Sequence, residues 1–244
     1  MNSSLPFVSV IIPAAGKSTR MKEGIDKLLI PLDGAPLLSY PLYVFEQSPV
    51  VTEVIVAVSP DKKGLVQEEI VRRYGFHKVK KIVSGGARRQ DSVGNGLKAV
   101  SPDAEIVLVH DGARPFVTLE MIEACALAAM RFGACVVGVP AKATLKECDG
   151  DQFVTRTPPR DRMWEIQTPQ GFQVSILAEA YEKAEAQGLD VTDDASLVEA
   201  LGKPVKVVQG SYENIKVTTP EDLLLAELIL KKQKEHGHAG RTRV

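Results

Sequence analysis

Residues 8–20 read Val-Ser-Val-Ile-Ile-Pro-Ala-Ala-Gly-Lys-Ser-Thr-Arg, and Lys27 follows closely. Small residues ending in Gly16 let a backbone approach a phosphate, so that main-chain N–H groups can bind it. Arg20 and Lys27 beside such a loop would neutralise the charge of a polyphosphate. The combination predicts a nucleoside triphosphate site. Gly16-Lys17-Ser18-Thr19 also imitates the end of a Walker A loop, but that motif requires a glycine five residues before Gly16, where Ile11 stands. Half of the turn cannot form the phosphate nest, which argues against a P-loop kinase or ATPase.

Further segments offer chemistry to the same ligand. Ser84-Gly85-Gly86, continuing through Arg89 to Ser92 and Val93, follows a strand and opens a helix, placing backbone donors and Ser92 near a ligand. Asp111, in Val109-His-Asp-Gly-Ala-Arg-Pro115, sits beside a tight turn. It could hold Mg²⁺, which takes one or two carboxylates plus substrate phosphates, or serve as an ordinary turn carboxylate. His110 reads as a satisfied structural residue, and Arg114 as a member of a buried pair that holds the loop. Trp164 to Gln170 joins the single tryptophan to a Thr-Pro-Gln turn. Val191-Thr192-Asp193-Asp194-Ala195 reads equally well as a helix N-cap. Lys216, placed in a short strand before a helix that begins at Pro220 with acids behind it, has no evident structural reason to be there.

These segments need elements to hold them. Apolar, β-branched runs predict strands at Val8–Pro13, Val54–Ser59, Val79–Val83, Ile106–His110, Cys135–Pro140 and Val205–Val208. Helical patterns lie between them at about Pro36–Gln47, Asp61–Tyr74, Gln90–Val100, Thr118–Phe132, Val174–Gln187 and Pro220–Lys232. Continuously apolar strands alternating with helices predict an α/β fold: a mostly parallel sheet with helices on both faces. Ligands of such sheets bind where loops leave the carboxyl ends of strands, and the Gly-rich and charged clusters fall there. Residues from about 141 to 160 break the rhythm. They read as two short strands about a turn at Cys148-Asp149-Gly150-Asp151, a hairpin arm that would need a partner chain to be stable. The domain is expected to span 1–232, with 233–244 a disordered tail.

Composition bounds the rest. At 244 residues the chain is long enough for one large domain burying roughly 70% of its unfolded surface. A net charge of −1 gives no global attraction for nucleic acid or an anionic membrane, so any affinity for phosphate is local. No apolar run approaches the ~18 residues of a membrane span, and the start lacks the basic residues of a secretory signal. Cys125, Cys135 and Cys148 have no metal-site spacing and read as reduced thiols. A cytoplasmic protein is expected, or a plastid stromal one in a plant-type source.

In order along the chain, PAAGKSTRM with Lys27, GG-x-x-R-x-x-SV, VHDGARP, W-x-x-x-TPQ, TDDA and NIKVTTPEDL form a specific set. With it the chain resembles the 2-C-methyl-D-erythritol 4-phosphate cytidylyltransferases, from about Val8 to Asp222. The resemblance implies a Rossmann-like fold, transfer of CMP from CTP to methylerythritol phosphate with Mg²⁺ as cofactor, and a homodimer formed through the arm. Ala14, Ala15, Gly16, Gly85, Gly86, Ser92 and Asp111 would hold CTP, with Asp111 also on the metal. Arg20, Lys27 and Lys216 would stabilise charge on the reacting phosphate. Thr144, Arg160, Thr168 and Thr192 would position the acceptor, Thr144 and Arg160 in the neighbour's site. Two other functions use the same fold. A ribitol-5-phosphate cytidylyltransferase differs only in its acceptor pocket. A non-catalytic nucleotide-binding regulator would be expected to lack at least one of Arg20, Lys27, Asp111 or Lys216, and all four are present.

Overall fold

The computed structural model describes residues 6–16 and 29–235. Strand β1 (Val8–Pro13) is the axis of the fold, with Val8 to Ile12 fully buried. A two-residue ladder follows, β2 (Pro31–Leu32) with β3 (Ala35–Pro36), and then helix α1 (Ser39–Gln47). The helix therefore starts later than expected from Pro36, because Pro36 pairs with Pro31. Strand β4 (Glu53–Val58) is buried along its whole length. The helical segment after it divides into a 3₁₀ turn at Pro60–Lys62, α2 (Lys63–Val66) and a π-helical stretch at Gln67–Arg72. Edge strand β5 (Val79–Ser84) exposes Lys80 and Lys81, which discourages pairing with another chain.

The second half runs α3 (Arg89–Leu97), β6 (Ile106–Val109), α4 (Leu119–Phe132) and β7 (Ala134–Pro140). Thr118 caps α4 by accepting from the Met121 amide at 3.3 Å, and Gly133 at φ 88° closes it. The arm carries β8 (Glu147–Cys148) and β9 (Val154–Arg156). Then come β10 (Trp164–Gln173), α5 (Val174–Gln187), α6 (Asp194–Ala200), β11 (Lys206–Gln209) and α7 (Pro220–Glu235). The seven-stranded sheet has the order β11-β7-β10-β6-β1-β4-β5. All of its pairs are parallel except those of β10, which runs antiparallel to β6 and β7.

Period-two alternation sends Ile12 to one face and Ile11 to the other. The first face packs Val10, Ile12, Val56 and Leu108 against Phe45 of α1 and Ile122 of α4. The second packs Ile11, Val107 and Phe172 against Leu177 of α5 and Val198 of α6. Burial on both faces explains why β1, β4 and β6 are apolar at nearly every position. Phe45 and Phe172 are fully buried, and truncating either to alanine removes about 3–5 kcal/mol of stability.

Three further expectations are corrected. The Thr-Pro-Gln turn is instead the middle of β10, a strand with a cis Thr168–Pro169 peptide and a register shift between Ile166 and Gln170. Lys216 lies in an irregular connection rather than a strand; Val217 beside it donates its N–H to the Ala113 carbonyl at 2.9 Å. Residues 233–235, expected in a disordered tail, continue α7, and the remainder of that segment lies outside the described residues. The hairpin is present with its turn where expected. Residues 142–157 are all exposed, and the arm is braced by a bidentate Arg156–Glu147 pair at 2.9 and 2.7 Å.

Candidate active site

The chain leaves β1 toward β4 and leaves β6 toward the opposite side of the sheet, so the order reverses between these neighbours. Such a switch point opens a crevice at the strands' carboxyl ends. Ala14, Ala15 and Gly16 line it beyond β1. The Ala14 N–H donates to the Ala57 carbonyl at 2.7 Å, and Ser59 Oγ donates to the Ala15 carbonyl at 3.2 Å. The GG turn leans against this loop. A Cβ on Gly85 would lie 2.3 Å from Ala15 Cβ, and one on Gly86 would lie 2.2 Å from Asp91 Cβ. Only glycine lets the two loops meet. Ser92 Oγ accepts from the Gly86 N–H at 3.1 Å and donates to the Arg88 carbonyl at 3.2 Å, so it fixes the turn from behind. Gly85→Ala is therefore expected to remove about 2 kcal/mol by overpacking. That corresponds to a fall in Tm of about 4–8 °C. A melt identical to wild type would mean that the two loops do not touch.

Across the crevice stands Asp111, just past β6, with only 10% of its side chain exposed. Arg89 Nε donates to Oδ1 at 3.0 Å, Lys216 Nζ lies 2.8 Å from Oδ2, and Arg114 Nε lies 3.7 Å from Oδ2. Burial opposes ionisation of Asp111, yet Arg89, Lys216 and Arg114 outweigh it and hold the carboxyl far below the ordinary carboxylate range. Lys216 is the loose member, with 39% of its side chain exposed. Arg89 reaches further: its NH1 donates to Asp194 Oδ2 at 2.7 Å, and Tyr181 donates its hydroxyl to Asp194 Oδ1 at 2.7 Å. Burial, then the Asp194 charge, pushes the Tyr181 phenol well above its usual range, so it remains a donor.

Behind Asp111 runs a relay of hydrogen bonds. Its N–H donates to Thr168 Oγ1 at 3.1 Å, and Thr168 Oγ1 lies 3.0 Å from His110 Nδ1. His110 Nε2 lies 3.1 Å from the Arg114 carbonyl, which can only accept. Nε2 therefore carries the proton, Nδ1 accepts from Thr168, and the ring is neutral. Burial holds the His110 pKa down to about 4. The unfolded chain binds this proton first as pH falls, so the contribution to stability is complete above about 6.5 and is lost between there and about 4. The loss is expected to be about 3 kcal/mol. Tm measured from pH 7 to 4 should fall less steeply for His110→Asn than for wild type; parallel curves would assign the acid sensitivity elsewhere.

The loop bearing Lys216 is pinned to the sheet. Buried Asn214 donates through Nδ2 to Gln167 Oε1 at 3.2 Å and to the Thr168 carbonyl at 2.9 Å. Arg114 NH1 donates to the Asn214 carbonyl at 2.8 Å. Gln167 Nε2 donates to the Ser211 carbonyl at 2.8 Å, and Tyr212 donates its hydroxyl to the Pro140 carbonyl at 2.7 Å, at the root of the arm. Thr192 is exposed immediately before Asp193, which caps α6 through the Ser196 N–H at 3.1 Å. Gln170 Nε2 holds Asp193 Oδ2 at 2.8 Å, tying α6 to β10.

The structure thus brings Asp111, Lys216 and Thr168 together beside the small-residue loop, with Thr168 turned inward. Thr144 and Arg160 are exposed on and below the arm, where Arg160 NH1 donates to the Lys142 carbonyl at 3.2 Å. Arg20 and Lys27 lie outside the described residues. Arg89, Asp194 and Asn214 were not among the expected site residues. One signal pointed to Arg89: a cation in the first turn of a helix opposes the helix dipole and needs another reason to be there. Among the described residues no group of three or more His, Cys, Asp or Glu could hold a metal. Asp111 Oδ2, whose partner Lys216 is half-exposed, is the protein oxygen that would suit a divalent cation arriving on a polyphosphate.

A switch-point crevice with a small-residue loop on one wall and a carboxylate ringed by cations on the other defines an α/β protein built to hold a polyphosphate. The family model for IspD, 2-C-methyl-D-erythritol 4-phosphate cytidylyltransferase, matches residues 8–232. A relative of that name from Alkaliphilus oremlandii is 47% identical over 227 residues, 93% of this chain and 96% of the relative. The crystal structure of 4-diphosphocytidyl-2C-methyl-D-erythritol synthase from Anaerococcus prevotii has a TM-score of 0.82 at 33% identity, covering 93% of this chain and 96% of that one. The Thermus thermophilus 2-C-methyl-D-erythritol 4-phosphate cytidylyltransferase has a TM-score of 0.75 at 37% identity, covering 92% and 99%. The chain belongs to the 2-C-methyl-D-erythritol 4-phosphate cytidylyltransferase family.

Proposed function

We propose that this site transfers CMP from CTP to the phosphate of 2-C-methyl-D-erythritol 4-phosphate, releasing pyrophosphate. The observation that carries the reading is the Lys216–Asp111 pair: a half-exposed ammonium held 2.8 Å from a buried carboxylate beside the Ala14–Gly16 loop. An oxygen of the acceptor phosphate attacks the α-phosphorus; the new P–O bond forms as the bond to the β-phosphate bridge breaks, and pyrophosphate leaves. This reaction asks for alignment and charge neutralisation and needs no protein nucleophile. Ala14, Ala15, Gly16, Gly85 and Gly86 leave main-chain groups accessible to the nucleotide. Lys216 swings from Asp111 to the reacting phosphate, with Arg20 and Lys27 completing the clamp. Bound Mg²⁺ would neutralise triphosphate charge, with Asp111 Oδ2 as the oxygen available to it.

Two copies of the chain would pair through the exposed arm, bringing Thr144 and Arg160 to the neighbour's acceptor pocket. Exposed Phe153, Val154 and Leu145 support such a cover. Pyrophosphate release is the test, with Mg²⁺ and CTP, ATP, GTP or UTP, each against methylerythritol phosphate and ribitol-5-phosphate. Turnover is expected only with CTP and methylerythritol phosphate. Turnover with ribitol-5-phosphate instead would overturn the acceptor, and none with any pair from folded protein would overturn catalysis.

A further inference from the structure

We propose that Arg89 is a positioning residue that couples the nucleotide side of the site to its acceptor side; this rests on the reading above. Its guanidinium is shared between two carboxylates on different elements, Asp111 Oδ1 at 3.0 Å and Asp194 Oδ2 at 2.7 Å. Asp111 belongs to the nucleotide wall. Gly112 beside it lies against the small-residue loop, where an added Cβ would be in ordinary contact with Ala14 Cβ at 3.5 Å. Asp194 is the first residue of α6, directly after Thr192 and Asp193. Arg89 itself opens α3, the helix whose Asp91 and Ser92 set the GG turn. Three segments expected to face ligands therefore hang on one planar fork.

The fork is rigid on one side and exchangeable on the other. Asp194 is 1% exposed and its two oxygens are held by Arg89 and Tyr181, so a change in the Arg89 bond acts on the start of α6. Asp111 has a partner that can leave, because Lys216 is half-exposed. When Lys216 turns to a phosphate, the charge beside Asp111 Oδ2 changes, and Arg89 redistributes between Asp111 and Asp194. Occupancy of the nucleotide wall thereby changes the setting of α6 and of Thr192 ahead of it. By linkage, acceptor binding changes nucleotide affinity by the same factor. Lysine at this position would keep the charge but offers no planar fork for two directed bonds. A purely structural arginine, present only to neutralise buried Asp194, would lower stability when altered without affecting communication between ligands.

Calorimetric titration separates the two. The probes are methylerythritol phosphate and the unreactive analogue α,β-methylene-CTP with Mg²⁺, titrated singly and together into wild type, Arg89→Lys and Asp194→Asn. The analogue is expected to tighten acceptor binding to wild type by about tenfold. Both variants should show less than about twofold tightening. Full tightening in folded Arg89→Lys overturns the coupling and leaves the proposed reaction standing. Wild type that binds both ligands without mutual tightening also overturns the coupling. Wild type that never binds the acceptor overturns both.

Discussion

Asp111→Asn is expected to lose about 10³-fold in turnover and to melt about 6–12 °C below wild type. The substitution keeps the shape of the side chain and removes the one charge that Arg89, Arg114 and Lys216 share. Breaking a buried ion pair usually removes about 3–5 kcal/mol, because a charge is left without compensation. Here the loss should fall near the lower end, about 3 kcal/mol. Arg89 keeps Asp194 and Arg114 keeps the Asn214 carbonyl, so neither arginine is stranded. Turnover falls further than stability suggests, since Lys216, released from its anchor, is no longer held where it can meet the phosphate. Thermal melts and pyrophosphate release on the same preparation check both parts. A variant that melts and turns over like wild type would show that Asp111 does not organise these charges.

Lys216→Ala separates the two effects. Turnover is expected to fall by about 10²–10³-fold, as when one preorganised charge donor is removed from a transition state. Stability should shift by no more than about 1 kcal/mol, because an exposed partner is worth little to a carboxylate that retains two arginines. The change should appear in kcat more than in the KM for CTP, since the ammonium moves onto the phosphate as charge develops there. A pure KM effect would instead make Lys216 a ground-state binding residue.

The contrast between these variants follows from what the sequence could and could not express. Strands β1, β4 and β6 were legible because helices cover both faces and leave continuous apolar runs. Strand β10 was not. Gln167, Thr168 and Gln170 are buried in it as polar bridges to Asn214, Asp111 and Asp193, so the strand has no apolar period and its Thr-Pro-Gln run reads as a turn. Helix α6 has only seven residues, too few for a periodic signal, although its Asp193 cap was readable. Asp111 stood out as a carboxylate past a strand end, and Lys216 as a lysine with no structural reason for its place. That they pair with each other, and that Arg89 ties Asp111 to Asp194, depends on contacts across the sheet edge between distant parts of the chain. The motif containing Arg89 was recognisable, but the role of its arginine emerged only from the two carboxylates it joins.

The proposed reaction is a single in-line displacement driven by positioned charge. The measurement that tests this most directly is the stereochemical course at phosphorus, using CTP of known configuration carrying sulfur on its α-phosphate and methylerythritol phosphate as acceptor. One direct attack predicts inversion at that phosphorus in the diphosphocytidyl product. Retention would require two displacements through a covalent cytidylyl-protein, and would contradict a site that works by charge and alignment alone.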